Sequence, residues 1–465
     1  MKRRDFLSTA SATSAFYLAP HWLRAQSAAA PISATLTIDE SSALAIIPPD
    51  FTGLSYESAQ LANPAFFSAA NTILIALFRE LGDSGVLRLG GGTSEFTAFT
   101  TKEPPPAAPF DAVGPDTSKN VKSDTPITPI SLRNLRAFLD ATGWRCLYGL
   151  NLGRGPIDRA AEEASYAEKI LGPRLIAFQL GNEPDAWRNR YRPATWSYAD
   201  YWKEWTAAHA AIVTRVPQAK FAGPDVSNKM AYVTGFAADA RRSAPDVVML
   251  TSHYYAMGPA GRPGMTIDRL LSPDPRLERD LKIAVTAARG AGLPYRMSEG
   301  NSCWNGGQPG VSDTFASALW AADMMLQFAS GGCSGVCLHG GGSGFYTPIA
   351  GSLAAGFGRR PEFFGMKMFK PFAGATLVRA TLDCANDRLS AYAARRSGST
   401  LTIVINKTNQ PATIHTSLHR AHKQWQLDAP AIDAKQGIAL TESAATALHR
   451  NLLHIPAFTA VLLEK

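Results

Sequence analysis

The sequence has little cysteine, and none of it in a metal-binding arrangement. Cys146, Cys303, Cys333, Cys337 and Cys384 make five, an odd number with no CxxC pair. That leaves no zinc framework, and a chain of this length needs no staples to bury a core. Cys333 and Cys337 leave a disulfide or two buried thiols open, with buried thiols favoured. No GxGxxG opens the first strand–helix unit and no lysine follows a glycine run with Walker spacing, so dinucleotide and phosphate-loop readings have little support. Nor is there a dominant charge. Charged residues are 18% of 465 and the formal net charge is +8. Lys2, Arg3, Arg4 and Arg24 against Asp5 carry +3 of that, leaving +5 beyond the N-terminal segment. Such a balance is no argument for nucleic acid and is compatible with an acidic small substrate. A mean hydropathy of −0.08 argues against a polytopic membrane protein. The 46% hydrophobic fraction excludes a disordered chain or a fibrous repeat.

What is present begins with an address. Residues 1–30 combine the twin-arginine pattern Lys2-Arg3-Arg4-Asp5-Phe6-Leu7, a weakly apolar stretch and a small-residue region, Ala25 to Ala30. They read as an export signal outside the fold, implying a bacterial protein that is periplasmic or secreted.

The middle of the chain repeats one rhythm. Short apolar runs at 51–58, 86–93, 145–153, 175–183, 220–226, 247–255, 295–300 and 335–340 alternate with helical patterns at 66–81, 131–141, 159–171, 198–215, 229–240, 277–289, 314–329 and 362–369. Eight such units predict an α/β fold, a (β/α)8 TIM barrel over residues 49–371, with a doubly wound open sheet as the structural alternative. The last part, 372–465, has the short strands and turns of an antiparallel β-sandwich, with candidates at 377–380, 389–394, 401–406, 412–416, 425–427 and 459–463. Residues 31–48 supply a further strand expected to join it. The Pro-, Asp- and Ser-rich stretch 102–129 reads as a long loop over the barrel mouth.

Chemistry in such a barrel belongs at the C-terminal ends of the strands. Strand four ends Gly181-Asn182-Glu183-Pro184 and strand seven ends Ser298-Glu299-Gly300-Asn301, so each delivers a glutamate to the mouth. Opposed carboxylates at one mouth are what glycoside hydrolysis uses. No His, Asp or Cys cluster has metal-ligand spacing, and neither metal nor other cofactor is implied.

Asn182-Glu183-Pro184 with Glu299 resembles the clan A retaining glycosidases. Arg88-Leu89-Gly90-Gly91-Gly92-Thr93, Ser252-His253-Tyr254-Tyr255 and Gly342-Ser343-Gly344-Phe345-Tyr346 further resemble glycoside hydrolase family 79, the β-glucuronidases and heparanases. The resemblance implies roles residue by residue. Glu183 matches the general acid/base, Glu299 the nucleophile, Arg88 the arginine that keeps the nucleophile anionic, and Asn182 the partner of the sugar 2-hydroxyl. Tyr254 matches the strand-six tyrosine near the nucleophile, Glu57 a contact to the outer hydroxyls, and Gly344 with Tyr346 the uronate site. The run from His339 to Pro348 suits that last use, since glycines let backbone N–H groups close on an anion. Trp304 reads as a stacking wall or a core aromatic, Tyr255 as core, and His253 as a buried, hydrogen-bonded histidine.

The expected activity is a retaining exo-β-glucuronidase that removes terminal glucuronate, bare or 4-O-methylated, from a glucuronic-acid-containing glycan or glycoside. The stretch 102–129 is short for an excised linker and clustered basic residues are few, which disfavours an endo-acting heparanase. A clan A enzyme for a neutral sugar and a carbohydrate-binding protein on an inactive barrel are the rivals.

Overall fold

A computed structural model describes residues 31–102, 124–342, 344–418, 420–447 and 451–465. The export-signal reading of 1–30 and most of the loop reading of 102–129 fall outside them.

Eight strands close a barrel: β1 (Thr52–Glu57), β2 (Val86–Gly90), β3 (Arg145–Leu150), β4 (Leu175–Leu180), β5 (Phe221–Val226), β6 (Val247–Met257), β7 (Tyr295–Cys303) and β8 (Val336–Gly340). Every neighbouring pair is parallel, and β8 pairs back onto β1 (Leu338 opposite Leu54), which excludes the open-sheet alternative. Side chains alternate between the two faces of the wall. Leu54, Leu87, Leu89, Tyr148, Phe178 and Leu180 join the core under the helices, whereas Val86, Leu147, Ala177, Ala222 and Cys337 form a separate cluster inside the barrel. Two residues beyond Val86 and Ala177, the same inward face carries Arg88 and Gln179 toward the mouth. The period-two pattern thus switches from apolar to polar where the site begins.

Helices start where caps stop the chain from starting earlier. The first runs Thr72–Leu81 rather than from residue 66, because the Asn71 side chain accepts the Leu74 N–H at 3.3 Å and fixes the first turn there. Tyr198–Arg215 carries a full capping box from Ser197 and Asp200. None of the five cysteines is paired. Among the described residues no helix is long and apolar enough to cross a membrane.

The second unit is one curled, mostly antiparallel sheet of nine strands. The N-terminal strand Ile32–Ile46 lies inside it, antiparallel to Thr376–Asp383 and parallel to Ala412–Thr416. Along Ser399–Asn406, Val404 packs with Leu36, Ile414 and Leu463 within the sheet's own core, while Ile403 and Ile405 join the barrel core. Between the two units lies helix Phe315–Ser330, buried on nearly every face, as a helix apolar all round should be. Its one charged residue, Asp323, is ion-paired with Lys407 of the sheet and accepts hydrogen bonds from Tyr392 (2.7 Å) and Ser390 (2.8 Å).

Both ions are buried, and Asp323 is held below the ordinary carboxylate range because Lys407 and these hydroxyls outweigh the burial that would raise it. Lys407→Met is expected to cost about 3–5 kcal/mol, since it leaves a buried carboxylate uncompensated. Urea unfolding measures this. The loss should be largest at neutral pH and shrink as pH falls, first where the uncompensated carboxylate of the variant takes up a proton and then through the depressed value of Asp323 in the wild type.

Candidate active site

The strand ends are shaped to aim side chains inward. β4 runs into Gly181 (φ 82°) and Glu183 (φ 51°). A Cβ on Gly181 would come within 2.7 Å of the Trp187 ring, so a glycine is needed there for space as well as for its left-handed backbone. Glu183, a non-glycine in that region, is held by its own N–H donating to the Asp225 carbonyl at 2.9 Å. Two neighbouring strands slip register by one residue. Opposite β6, Pro224 pairs Thr251 and Val226 pairs Ser252, which leaves Asp225 extra; Met297 pairs Ser252 and Glu299 pairs His253, which leaves Ser298 extra. Such bulges re-aim side chains at barrel rims. Here Ser298 turns inward to donate to Asp225 at 2.5 Å, and Glu299 faces the mouth.

Arg88 is the hub. Fully buried, it donates to Glu299 Oε2 (2.6 Å), Asn182 Oδ1 (2.8 Å), Gln179 Oε1 (3.1 Å) and Ser55 Oγ (3.2 Å), and forms an ion pair with Asp225. The other oxygen of Glu299 accepts from the Tyr255 hydroxyl at 2.9 Å. His253 stands between the two glutamates, with Nδ1 3.0 Å from Glu183 Oε1 and 4.0 Å from Glu299 Oε1. Its Nε2 lies 3.2 Å from Asp225 Oδ1. An oxygen of Glu183 and an oxygen of Glu299 lie within 4.8 Å of each other.

These surroundings push the two glutamates apart. Burial would raise Glu299, but His339, His253, Arg88 and the Tyr255 hydroxyl outweigh it and hold the carboxyl at about 2. Glu183 is raised above 4.5, chiefly by burial and then by the charge of Glu299, with His253 pulling the other way. Burial would lower His253, yet Glu299, Asp225 and Glu183 lift it to about 10, so its imidazole carries both protons at neutral pH. Glu183, His253 and Glu299 are also the group among the described residues with ligand-like spacing, and in this arrangement the histidine Nδ1 is turned to Glu183 Oε1. One carboxyl held low beside one pushed up is the arrangement of an acid–base division of labour.

No family model matches the chain. It is 27% identical over 402 residues to a β-glucuronidase from Aspergillus niger, covering 78% of this chain and 72% of the relative. A β-glucuronidase from Neurospora crassa is 26% identical over 351 residues, 68% of this chain and 60% of that one. Among solved structures, a 4-O-α-L-rhamnosyl-β-D-glucuronidase from Fusarium oxysporum superposes with a TM-score of 0.73 at 17% identity, over 93% of this chain and 100% of the other. A GH51 arabinofuranosidase from Xanthomonas axonopodis pv. citri does so with a TM-score of 0.70 at 13% identity, over 93% and 99%. The chain is a glycoside hydrolase.

The glycoside hydrolase cleft, about 630 Å³, is lined by Glu57, Asn182, Glu183, Tyr255, Glu299, Trp304, His339, Gly344 and Tyr346 among others. Glu57 is anchored by the Thr93 N–H at 2.8 Å and hydroxyl at 2.5 Å, with His339 Nε2 at 3.5 Å. Gly341 (φ 101°) and Gly342 (φ 60°) turn the chain after β8, and Tyr346 follows against His339 and Tyr255, ring centroids 5.9 and 6.4 Å away. Trp304 is 44% exposed and lies against Gly258, so it is a wall of the cleft and not a core aromatic.

The strand-six tyrosine needs a correction. Tyr254 donates to Asp274 at 3.0 Å and packs on Phe328, away from Glu299; the tyrosine on Glu299 is Tyr255. Strand alternation is the reason: His253 and Tyr255 share the inward face and Tyr254 the helix-side face. That rule, applied to the pairing of Glu299 with His253, was the available signal. Asp225, Gln179 and Ser298 were missed because a bulge or an internal polar partner has no motif of its own.

Proposed function

We propose that this glycoside hydrolase belongs to family 79 and is a retaining exo-β-glucuronidase. It removes terminal β-linked glucuronate, bare or 4-O-methylated, from a glycan or glycoside. The observation that carries the mechanism is the approach of the Glu183 and Glu299 oxygens within 4.8 Å. Retaining pairs sit about 5–5.5 Å apart, whereas inverting pairs leave about 6.5–9.5 Å for a water.

In the first step Glu299 attacks the anomeric carbon while Glu183 gives its proton to the glycosidic oxygen, and the aglycone leaves as an alcohol. In the second, Glu183, now a carboxylate, takes a proton from water; that water attacks the same carbon and frees Glu299. Arg88 and Tyr255 keep Glu299 anionic and aimed. Because Arg88 occupies the Asn182 carbonyl oxygen, the amide N–H2 is the end left for the sugar 2-hydroxyl. Gly344 and Tyr346 are assigned to the sugar carboxylate, Glu57 to the outer hydroxyls and Trp304 to the aglycone side. The named relatives act on β-glucuronides, which supports the uronate assignment. Few clustered basic residues supports exo action over cutting within a sulfated chain. The twin-arginine pattern supports export to the periplasm or beyond.

The test is hydrolysis of a matched aryl β-D-glucuronide and β-D-glucoside. The glucuronide should be preferred by about 10⁴-fold in kcat/KM, the scale on which a site built to hydrogen-bond a polar group rejects an analogue lacking it. Comparable rates on both would sink the uronate reading and keep the hydrolase.

A further inference from the structure

We infer that Glu95 is a positioning residue for this reaction: its buried carboxylate ties the chain after β3 to the turn after β4 and so fixes Asn182 and Glu183. The inference rests on the general-acid reading of Glu183.

Glu95 comes from the short helical turn Gly92–Phe96 after β2 and is 1% exposed. Its Oε1 accepts the Asn182 N–H at 2.6 Å. Its Oε2 accepts the N–H groups of Leu152 (3.1 Å) and Gly153 (2.5 Å). A Cβ on Gly153 would lie 2.8 Å from that oxygen, so the glycine lets the carboxylate close in. Arg192 takes the carbonyl of Gly153 at 2.7 Å, and the Trp187 indole N–H takes the carbonyl of Asn182 at 2.8 Å. Both backbone groups of Asn182 are therefore held by side chains, one residue before a left-handed Glu183. A strained conformation persists only where its surroundings over-determine it. No position of Glu95 touches the reacting atoms; it acts through the backbone that carries them.

The experiment compares the full chain with Glu95→Gln on aryl β-glucuronides of good and poor leaving group. The amide keeps one acceptor and sets an N–H2 against a backbone N–H at the other. The expected loss is about 100-fold in kcat/KM on the poor leaving group, the scale of an ångström-sized misplacement, and much less in kcat/KM on the good one, because that ratio reports the first step alone while the second step, common to both substrates, also uses Glu183. Trp187→Phe, which removes the hold on the Asn182 carbonyl, should show the same pattern and serves if Glu95→Gln does not fold. Glu163→Gln, which alters a buried carboxyl bonded to Tyr148 at 2.7 Å, should lower Tm without leaving-group dependence. A Glu95→Gln enzyme that loses Tm but keeps wild-type kcat/KM on both substrates overturns the proposal. Glu183→Ala run alongside separates the two claims: if it shows no leaving-group dependence, the acid reading fails and takes this proposal with it.

Discussion

Glu299→Gln is expected to lower turnover of an aryl β-D-glucuronide by roughly 10⁵-fold, the scale seen when an enzyme loses its nucleophile. An amide cannot attack the anomeric carbon, and it also removes the negative charge on which three cationic groups converge. Arg88 would keep Asp225 as its ion-pair partner, but His253 and His339 would lose the charge that most raises each of them. The imidazole resonances of both should then titrate at lower pH than in the wild type. That shift separates loss of the nucleophile from loss of the fold, since an unfolded chain would return both to the ordinary histidine value. The glucuronate released by the wild type should emerge, before mutarotation, as the β-anomer. Activity of Glu299→Gln above about 1% of wild type, or release of the α-anomer, would remove Glu299 from the role.

The low value of Glu299 also sets an acid limit. Its ionised form is favoured in the fold, so it contributes stability above the unfolded glutamate value that is lost as pH falls toward about 2. Catalysis by this group should therefore persist well below pH 4.5 so long as the protein stays folded. An acid limb near 4.5 that tracks Glu299 would show that the cations around it do not act as the geometry indicates.

How much of this was legible follows from what each signal encodes. The barrel was readable because a buried parallel strand is a run of apolar residues, and eight of them recur at helix-length spacing. The edge strand Ala439–Ala447 was not: as Ala-Leu-Thr-Glu-Ser-Ala-Ala-Thr-Ala it has no alternating apolar face, because only one neighbour, Arg420–Asp428, holds it. The parallel seat of Ile32–Ile46 was equally invisible, since pairing direction leaves no trace in composition. In the site, Glu183 and Glu299 stand beside legible neighbours, Asn182 and Pro184 in one case and a strand end in the other. Tyr255 lost to Tyr254 because two adjacent tyrosines look alike until inward and outward faces are assigned. His253 was read as buried and hydrogen-bonded, and it is fully buried with Glu183 at 3.0 Å. What the sequence withheld was that its partners are the site's own carboxylates. Bulges at Asp225 and Ser298 break the alternation that would otherwise have flagged them.

Glu183→Ala is expected to cost about 10²–10⁴-fold in kcat/KM on a poor leaving group and far less on a good one, whose departure needs little protonation in the first step. The sign of the pH dependence follows from the same group. Glu183 must be protonated to act in the first step, so kcat/KM should fall as pH rises through its raised value, and Glu183→Gln should remove that alkaline limb. His253 tests the coupling. Its imidazolium donates toward Glu183 and pulls that carboxyl down against burial. His253→Asn should therefore move the alkaline limb to higher pH while loosening the hold on the Glu299 charge, which moves the acid limb the same way. Both limbs rising together is the signature of one cation shared between two carboxylates. If the alkaline limb instead stayed fixed in His253→Asn, the histidine would not be coupled to Glu183, and another group would have to be sought as the acid whose ionisation ends activity.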